Sequence, residues 1–470
     1  MHMITRMWRG TRNAALFGTP SRKRDGPLFA RMLTNILHLL GGSGAAVVIG
    51  MATLALMAHA LGPVSLGIVA MIESYGKLCD QIFRMETWQS AIRYGAHALE
   101  QGRPEHFRRL IKLGMVLDLA GAALAASIAF LAVPLVARWL YWDPEVEAMA
   151  RVYSISLFFG ISSTPLGVLR LFDRFAQISW LEPALALIRL AGTAMIVFFS
   201  ANLWTYLILS MTVMAGQRVI LLGMAWRQLA KEGHGSVLTA PLLGTPALFE
   251  GYWRFIFAAN GTVLVRKATL ECDILVVGSI MGASGAGIYQ IVRKLTMTAT
   301  KLGGTLQQVV FPDLARLWAR AAFDEFLIAL RNVELLTIIV GLALVGGFAI
   351  FGGTVVQIIA GSAFEEATTP LRVQSIAVLL FLSGSALRPA LMVMGYQTHL
   401  LWIVTVSAIV FFVVLFVGVS QFGVLGAPFA HIAFSLIWLP ASLALFVSAL
   451  RSAKAKAELP VKQQDAAVQS

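Results

Sequence analysis

Charge is what this sequence has least of. Asp, Glu, Lys and Arg make up 13% of its 470 residues, against about 25% in an ordinary soluble domain. Hydrophobic residues reach 58% and mean hydropathy is +0.77. So few charges cannot cover a water-facing surface, which excludes a soluble fold and makes the bilayer the solvent. Cysteine is nearly missing too. Cys79 and Cys272 stand far apart, in or beside apolar runs, which excludes a disulfide framework and any metal-ligand spacing. Neither GxxxxGK(S/T) nor HExxH occurs, which excludes ATP binding in the manner of an ABC pump and zincin chemistry. Outer connections are only a few residues long apart from 138–145, too little for the extramembrane region a glycosyltransferase or polymerase needs. The expectation is a protein without covalent catalysis, cofactor or metal.

What is present is a series of apolar runs of spanning length, each needing about 20 residues. They predict an all-α polytopic membrane protein of about 12 transmembrane helices. Spans fall at about 33–60, 65–90, 110–137, 150–170, 177–200 and 204–227, then 254–280, 285–311, 330–358, 371–394, 399–419 and 426–449. The first run is longer than the core of a signal peptide, about 7–15 residues, despite Ala58-His59-Ala60 after it, so it reads as a retained helix.

The net charge of +13 invites a nucleic-acid reading, which the distribution of the charge rejects. Lys and Arg gather on one side: the tail from Arg6 to Arg31, Arg103, Arg108, Arg109, Lys112, Arg170, Arg174, Arg227, Lys231, Arg316, Arg320, Arg388 and Arg451. Connections such as 59–64, 200–203 and 420–425 hold none. By the positive-inside rule both termini are expected in the cytoplasm of a bacterium, with the chain in its inner membrane.

The chain also repeats. Leu61-Gly62-Pro63-Val64-Ser65-Leu66-Gly67-Ile68 aligns with Met281-Gly282-Ala283-Ser284-Gly285-Ala286-Gly287-Ile288 at an offset of 220. Two like-oriented six-span halves follow, an arrangement in which transporters commonly place substrate between the repeats. The expected division is a basic cytoplasmic tail (1–30), a first bundle (31–230), a linker (231–250), a second bundle (251–450) and a disordered tail (451–470). Gly42, Ala46 and Gly50 have the small-xxx-small spacing of close helix packing.

Ionisable residues inside spans are costly and usually face a cavity or a partner. In span 2, Glu73, Lys77, Asp80 and Arg84 fall within roughly a 60° stripe. They form two i,i+4 pairs with the acid N-terminal, the better orientation. The stripe lines a wet cavity or, where the span surfaces, a solvated face. In span 7, Arg266, Lys267, Glu271 and Asp273 lie within the helix if the repeat sets the turn at Gly282. Hydropathy alone ends the helix near Val265 and leaves them in an outer loop. Span 8 adds Tyr289, Arg293 and Thr300 on one face. Arg266, Lys267 and Arg293 together suit a diphosphate or another anion, because a guanidinium offers a bidentate fork. Glu271 and Asp273 are candidates for ion coupling. Asp118, Arg189, Glu334 and His431 stand alone and read as packing or interfacial partners.

Several motifs in order carry a resemblance. They are 61–67, Trp88-Gln89-Ser90-Ala91-Ile92-Arg93-Tyr94, Leu171-Phe172-Asp173-Arg174-Phe175, the stretch 271–289, and Phe311-Pro312-Asp313-Leu314-Ala315-Arg316-Leu317. Over about residues 30–450 the chain resembles the multidrug/oligosaccharidyl-lipid/polysaccharide (MOP) flippase superfamily, in its polysaccharide-export or O-antigen (Wzx-like) branch. The resemblance implies a V-shaped pair of six-helix bundles working by alternating access. The implied cargo is an undecaprenyl-diphosphate-linked oligosaccharide for polysaccharide or lipopolysaccharide synthesis. Implied partners are the lipid bilayer and other glycan polymerisation or export proteins. An ion-coupled, MATE-like antiporter of small amphiphiles and a non-transporting scaffold for glycan assembly are the alternatives.

Overall fold

The computed structural model describes residues 28–199 and 202–458, so both predicted tails fall largely outside the described residues. Every regular element among these is helical. The first half comprises α1 (Leu28–Phe83), α2 (Thr87–Glu100), α3 (Pro104–Trp139), α4 (Pro144–Ile155), α5 (Ser163–Leu171), α6 (Phe175–Phe199) and α7 (Leu203–Lys231). The second comprises α8 (Tyr252–Ala319), α9 (Phe323–Ala360), α10 (Thr368–Leu382), α11 (Leu387–Val393), α12 (Gln397–Phe422) and α13 (Gly426–Glu458). Nine stretches among the described residues are long and apolar enough to cross a membrane. Starts are set locally. Pro104 and Pro144 open α3 and α4, where a missing N–H costs nothing, and the Asp143 side chain accepts from Val146 N at 2.9 Å.

The repeat is visible in the backbone. α1 turns at Gly62 (φ 70, ψ 179) and α8 turns at Gly282 (φ 70, ψ −174), each within one long helical run. That combination of angles is open essentially to glycine alone. Helix therefore continues through 265–281 and the turn comes at Gly282, as the repeat required; no loop interrupts it at Val265.

These turns mark the end of the molecule where the halves meet. There one apolar core draws on both, from Leu54, Met71, Ile72 and Ala129 to Ile274, Val277, Tyr289 and Phe411. At the opposite end the cores are separate: Phe107, Val168, Leu169 and Ala225 in the first half, Phe326, Leu387, Ala390 and Phe446 in the second. Among the described residues the halves thus share one core at the turn end and keep separate main cores towards the linker end. The tight approaches are not at Gly50, where an added Cβ would meet nothing within 4 Å. They lie at Gly67 and Gly287, beside the two turns.

Each half contains a helix broken midway whose break is held by an acid from another helix, buried Asp118 in the first half and part-buried Glu334 in the second. Between α4 and α5, Thr164 N donates to Asp118 Oδ2 at 2.7 Å, and Thr87 Oγ1 donates to Asp118 Oδ1 at 2.6 Å. Between α10 and α11, Ala386 N donates to Glu334 Oε1 at 2.9 Å. Span 2 also stops short of its expected end: α1 closes at Phe83 and the chain restarts as α2 after 84–86.

The linker is strapped to α3. Lys112 Nζ donates to the carbonyls of Leu238 (2.8 Å) and Ala240 (2.7 Å), and Arg109 to those of Pro241 and Leu243. Phe249, Tyr252 and Ile256 then pack on Leu110 and Leu113, so the start of α8 rests against the first half.

Candidate functional site

The charged side chains expected from the sequence gather on the facing limbs of α1 and α8. Both pairs of the α1 stripe form. Lys77 Nζ reaches Glu73 Oε2 at 3.0 Å, and Arg84 pairs with Asp80. Each acid has further support from other helices. Ser210 Oγ of α7 donates to Glu73 Oε1 at 2.6 Å, while Arg189 of α6 and Lys294 of α8 add positive charge close to the same carboxylate. Arg218 of α7 lies 3.0 Å from Asp80. A buried carboxylate needs such partners, because desolvation alone would expel its charge.

A second group joins the halves. Lys267 Nζ donates to Gln81 Oε1 at 2.8 Å and stands 3.8 Å from Glu86 Oε1. At the gap between α1 and α2, Glu86 N donates to Asn260 Oδ1 at 2.6 Å, so a side chain of the second half satisfies a backbone group of the first.

The third group is the most buried. Asp273, 1% exposed, receives Tyr289 OH at 2.8 Å, the backbone N–H of Ile274 at 2.7 Å and an approach from His431 Nε2 at 3.3 Å. Arg293 lies 3.6 Å from its other oxygen and donates to Glu271 Oε2 at 2.9 Å. The same guanidinium donates to Ser74 Oγ of α1 at 3.2 Å. Asp273, Tyr289, Arg293 and Thr300 all line a cavity of about 270 Å³ in the second half.

The cations therefore differ in what they can do. The side chains of Lys77 and Lys267 remain 43% and 38% exposed while paired with Glu73 and bonded to Gln81. Arg293 and Arg218, at 9% and 8%, are committed to carboxylates. Of the three residues expected to hold a diphosphate, Lys267 reaches across to Gln81 and Glu86 of the first half and Arg293 is taken up by Glu271 and Asp273. The side chain of Arg266 lies outside the described residues. Sequence reasoning passed over Lys294, Ser74, Ser210, Gln81 and Glu86, and took Arg189 and His431 as solitary. Lys294 follows Arg293 directly, and the 220 offset sets it opposite Ser74, a signal that was available. Among the described residues no three His, Cys, Asp or Glu side chains are grouped as a metal site would require. The arrangement is suited to holding and releasing charge.

The family model described as polysaccharide biosynthesis protein matches residues 56–369. An inner membrane protein of Escherichia coli, YghQ, is 23% identical over 339 residues, covering 72% of this chain and 95% of its own. An inward-facing multidrug resistance MATE transporter of the MOP superfamily superposes with a TM-score of 0.66 at 14% identity, over 89% of this chain and 94% of that one. The lipid II flippase MurJ in an inward closed conformation gives 0.65 at 12% identity, over 90% and 93%. The fold is that of the MOP superfamily.

Proposed function

This chain belongs to the polysaccharide biosynthesis protein family, and from that premise we propose that it is a flippase for an undecaprenyl-diphosphate-linked oligosaccharide, working by alternating access. The observation that carries the reading is the pair Lys77 and Lys267. They sit on facing helices of opposite halves, with side chains part-exposed beside Glu73 and Gln81, and Lys294 and Arg189 add positive charge near Lys77. An anionic diphosphate held there would be shared by both halves, while its polyprenyl tail stays in lipid. Closure at the turn end and separation at the linker end correspond to a cleft open to the cytoplasm, with both termini on that side of the inner membrane. Release to the periplasm requires the turn end to part. Asp273 and Glu271, paired through Arg293 to Ser74 of the other half, are where an ion would couple to that change. Tyr289, Thr300, Asp80 and Arg84 would hold these groups in place. Enzymes that polymerise or export the glycan would act on the product, and this protein would form no covalent bond.

The test is a deletion strain assayed for lipid-linked glycan on the cytoplasmic leaflet, complemented with wild type or with Lys77→Ala/Lys267→Ala. Accumulation relieved by wild type and not by the double variant supports the reading. Full complementation by an inserted double variant would point to a scaffold, and drug sensitivity without glycan accumulation to an antiporter.

A further inference from the structure

The cavity inside the second half is separate from the gap that the flippase reading uses. It lies among α8, α10, α12 and α13, and its walls are mainly apolar. At about 270 Å³ it is large for a void in a packed interior. Most of its wall is apolar, with polar groups of Asp273, Gln374 and His431 set into it, a lining that suits a mainly apolar solute carrying a polar group.

Three observations specify what would fit. First, the walls include several aromatic rings: Phe381 and Trp438 are stacked, with ring centroids 6.1 Å apart and planes at 25°, and Phe411 lies against His431. Second, the charges at one end are matched internally. Asp273 is met by Arg293, Tyr289 and His431. Arg388 at the other end has interactions of its own. A further net charge in such a setting would be desolvated without a counter-ion. Third, one polar atom is left over. Gln374 is buried, lines the cavity, and its Oε1 has no hydrogen-bond partner. A buried unsatisfied acceptor costs about 1–3 kcal/mol, a cost that a ligand donor would remove.

We propose that this cavity is a binding site for an uncharged amphiphile, a flat apolar body of about a dozen heavy atoms bearing one hydroxyl or amide N–H. The ring lies between Phe381 and Phe411 and the donor meets Gln374 Oε1. Its floor residue Arg293 also holds Ser74 of the first half, so an occupant bears on the contact between the halves. The cavity shares Asp273, Tyr289, Arg293 and Thr300 with the coupling network of the flippase reading, and does not include Lys77 or Lys267, the pair that carries that reading.

Tritiated 2-naphthol, neutral, bicyclic and with one O–H, tests this on the full chain in phosphatidylcholine nanodiscs, with empty discs as background. Saturable one-to-one binding is expected. Gln374→Leu should weaken it about fivefold, the worth of one hydrogen bond. Ala377→Phe should abolish it by filling the space, and Lys77→Ala/Lys267→Ala should leave it unchanged. Should Ala377→Phe fail to fold, Ser435→Leu fills the same cavity from α13. Uptake equal to empty discs, or unaltered in both the Gln374 and the cavity-filling variants, would overturn the proposal. Loss of binding in the lysine variant would overturn the separation of the two sites. Tighter binding of 2-naphthoate than of 2-naphthol would overturn the assignment to an uncharged ligand.

Discussion

Gly67 and Gly287 are reciprocal. A Cβ added to Gly67 would come within 1.8 Å of the Ala283 carbonyl oxygen, and one added to Gly287 within 1.9 Å of the Pro63 carbonyl oxygen. The offset of 220 that relates Gly67 to Gly287 also relates Pro63 to Ala283, so each half inserts its glycine under the other's turn. This contact seals the turn end.

Substitution there should open the seal. Overpacking costs about 1–3 kcal/mol, enough to move a two-state equilibrium about tenfold or more. In a background lacking Cys79 and Cys272, a cysteine at Tyr289 should react faster with a membrane-impermeant thiol reagent from the periplasm in Gly67→Val and Gly287→Val. Gly50→Val is the control, since nothing lies within 4 Å of its added Cβ. Equal rates in all three would show that the seal does not depend on the glycines.

Removing Arg293 leaves Asp273 and Glu271 buried without their shared cation, which typically costs about 3–5 kcal/mol. Arg293→Ala should lower the thermal midpoint of the purified protein sharply. Adding Glu271→Gln and Asp273→Asn should restore most of the stability while transport stays absent. Recovery of transport in the triple variant would show that the network is structural only.

The capping acids predict a graded series. Asp118→Ala deprives Thr164 N and Thr87 of their acceptor and should destabilise by about 1–3 kcal/mol. Asp118→Asn keeps one acceptor oxygen and should lose less. Glu334→Ala should behave like Asp118→Ala, because Ala386 N depends on it in the same way. Thermal unfolding of the three variants in one detergent ranks them.

His234, in the linker, lies against Phe107 with ring centroids 4.9 Å apart. Burial, and then the charge of Arg108, hold its pKa below the ordinary 6.5. The unfolded chain therefore binds the proton more readily, so stability falls as pH drops below about 6.5 and levels off once the folded histidine is also protonated. His234→Phe keeps the ring contact and should reduce the drop in thermal midpoint between about pH 7.5 and about pH 5.5. An unchanged drop would assign the pH dependence to other groups.

What the sequence revealed and what it hid differ in range. The turns at Gly62 and Gly282 were legible because they recur at a fixed offset, and that offset put residues 266–273 inside a helix where hydropathy alone put a loop. Glu73–Lys77 and Asp80–Arg84 were legible because i,i+4 spacing implies proximity on one helix. Arg293 was recognised as important, but its partners Ser74 and Glu271 come from other limbs and carry no local trace. The breaks at 160–162 and 383–386 were hidden for the same reason. Each is satisfied by an acid 46 or 52 positions away in sequence. His431 looked solitary because its neighbour Asp273 is 158 positions distant.

The strap between α3 and the linker has a mechanical corollary. Lys112 and Arg109 anchor four linker carbonyls, and Tyr252 and Ile256 are seated on Leu110 and Leu113. The opening turns of α8 are therefore a passenger of the first half, although the chain has already left it. In the proposed alternating-access cycle, the seam along which the two halves would move does not coincide with the covalent joint. It crosses α8 itself, between Ile256 and the Asp273 network, and passes Lys267 on the way.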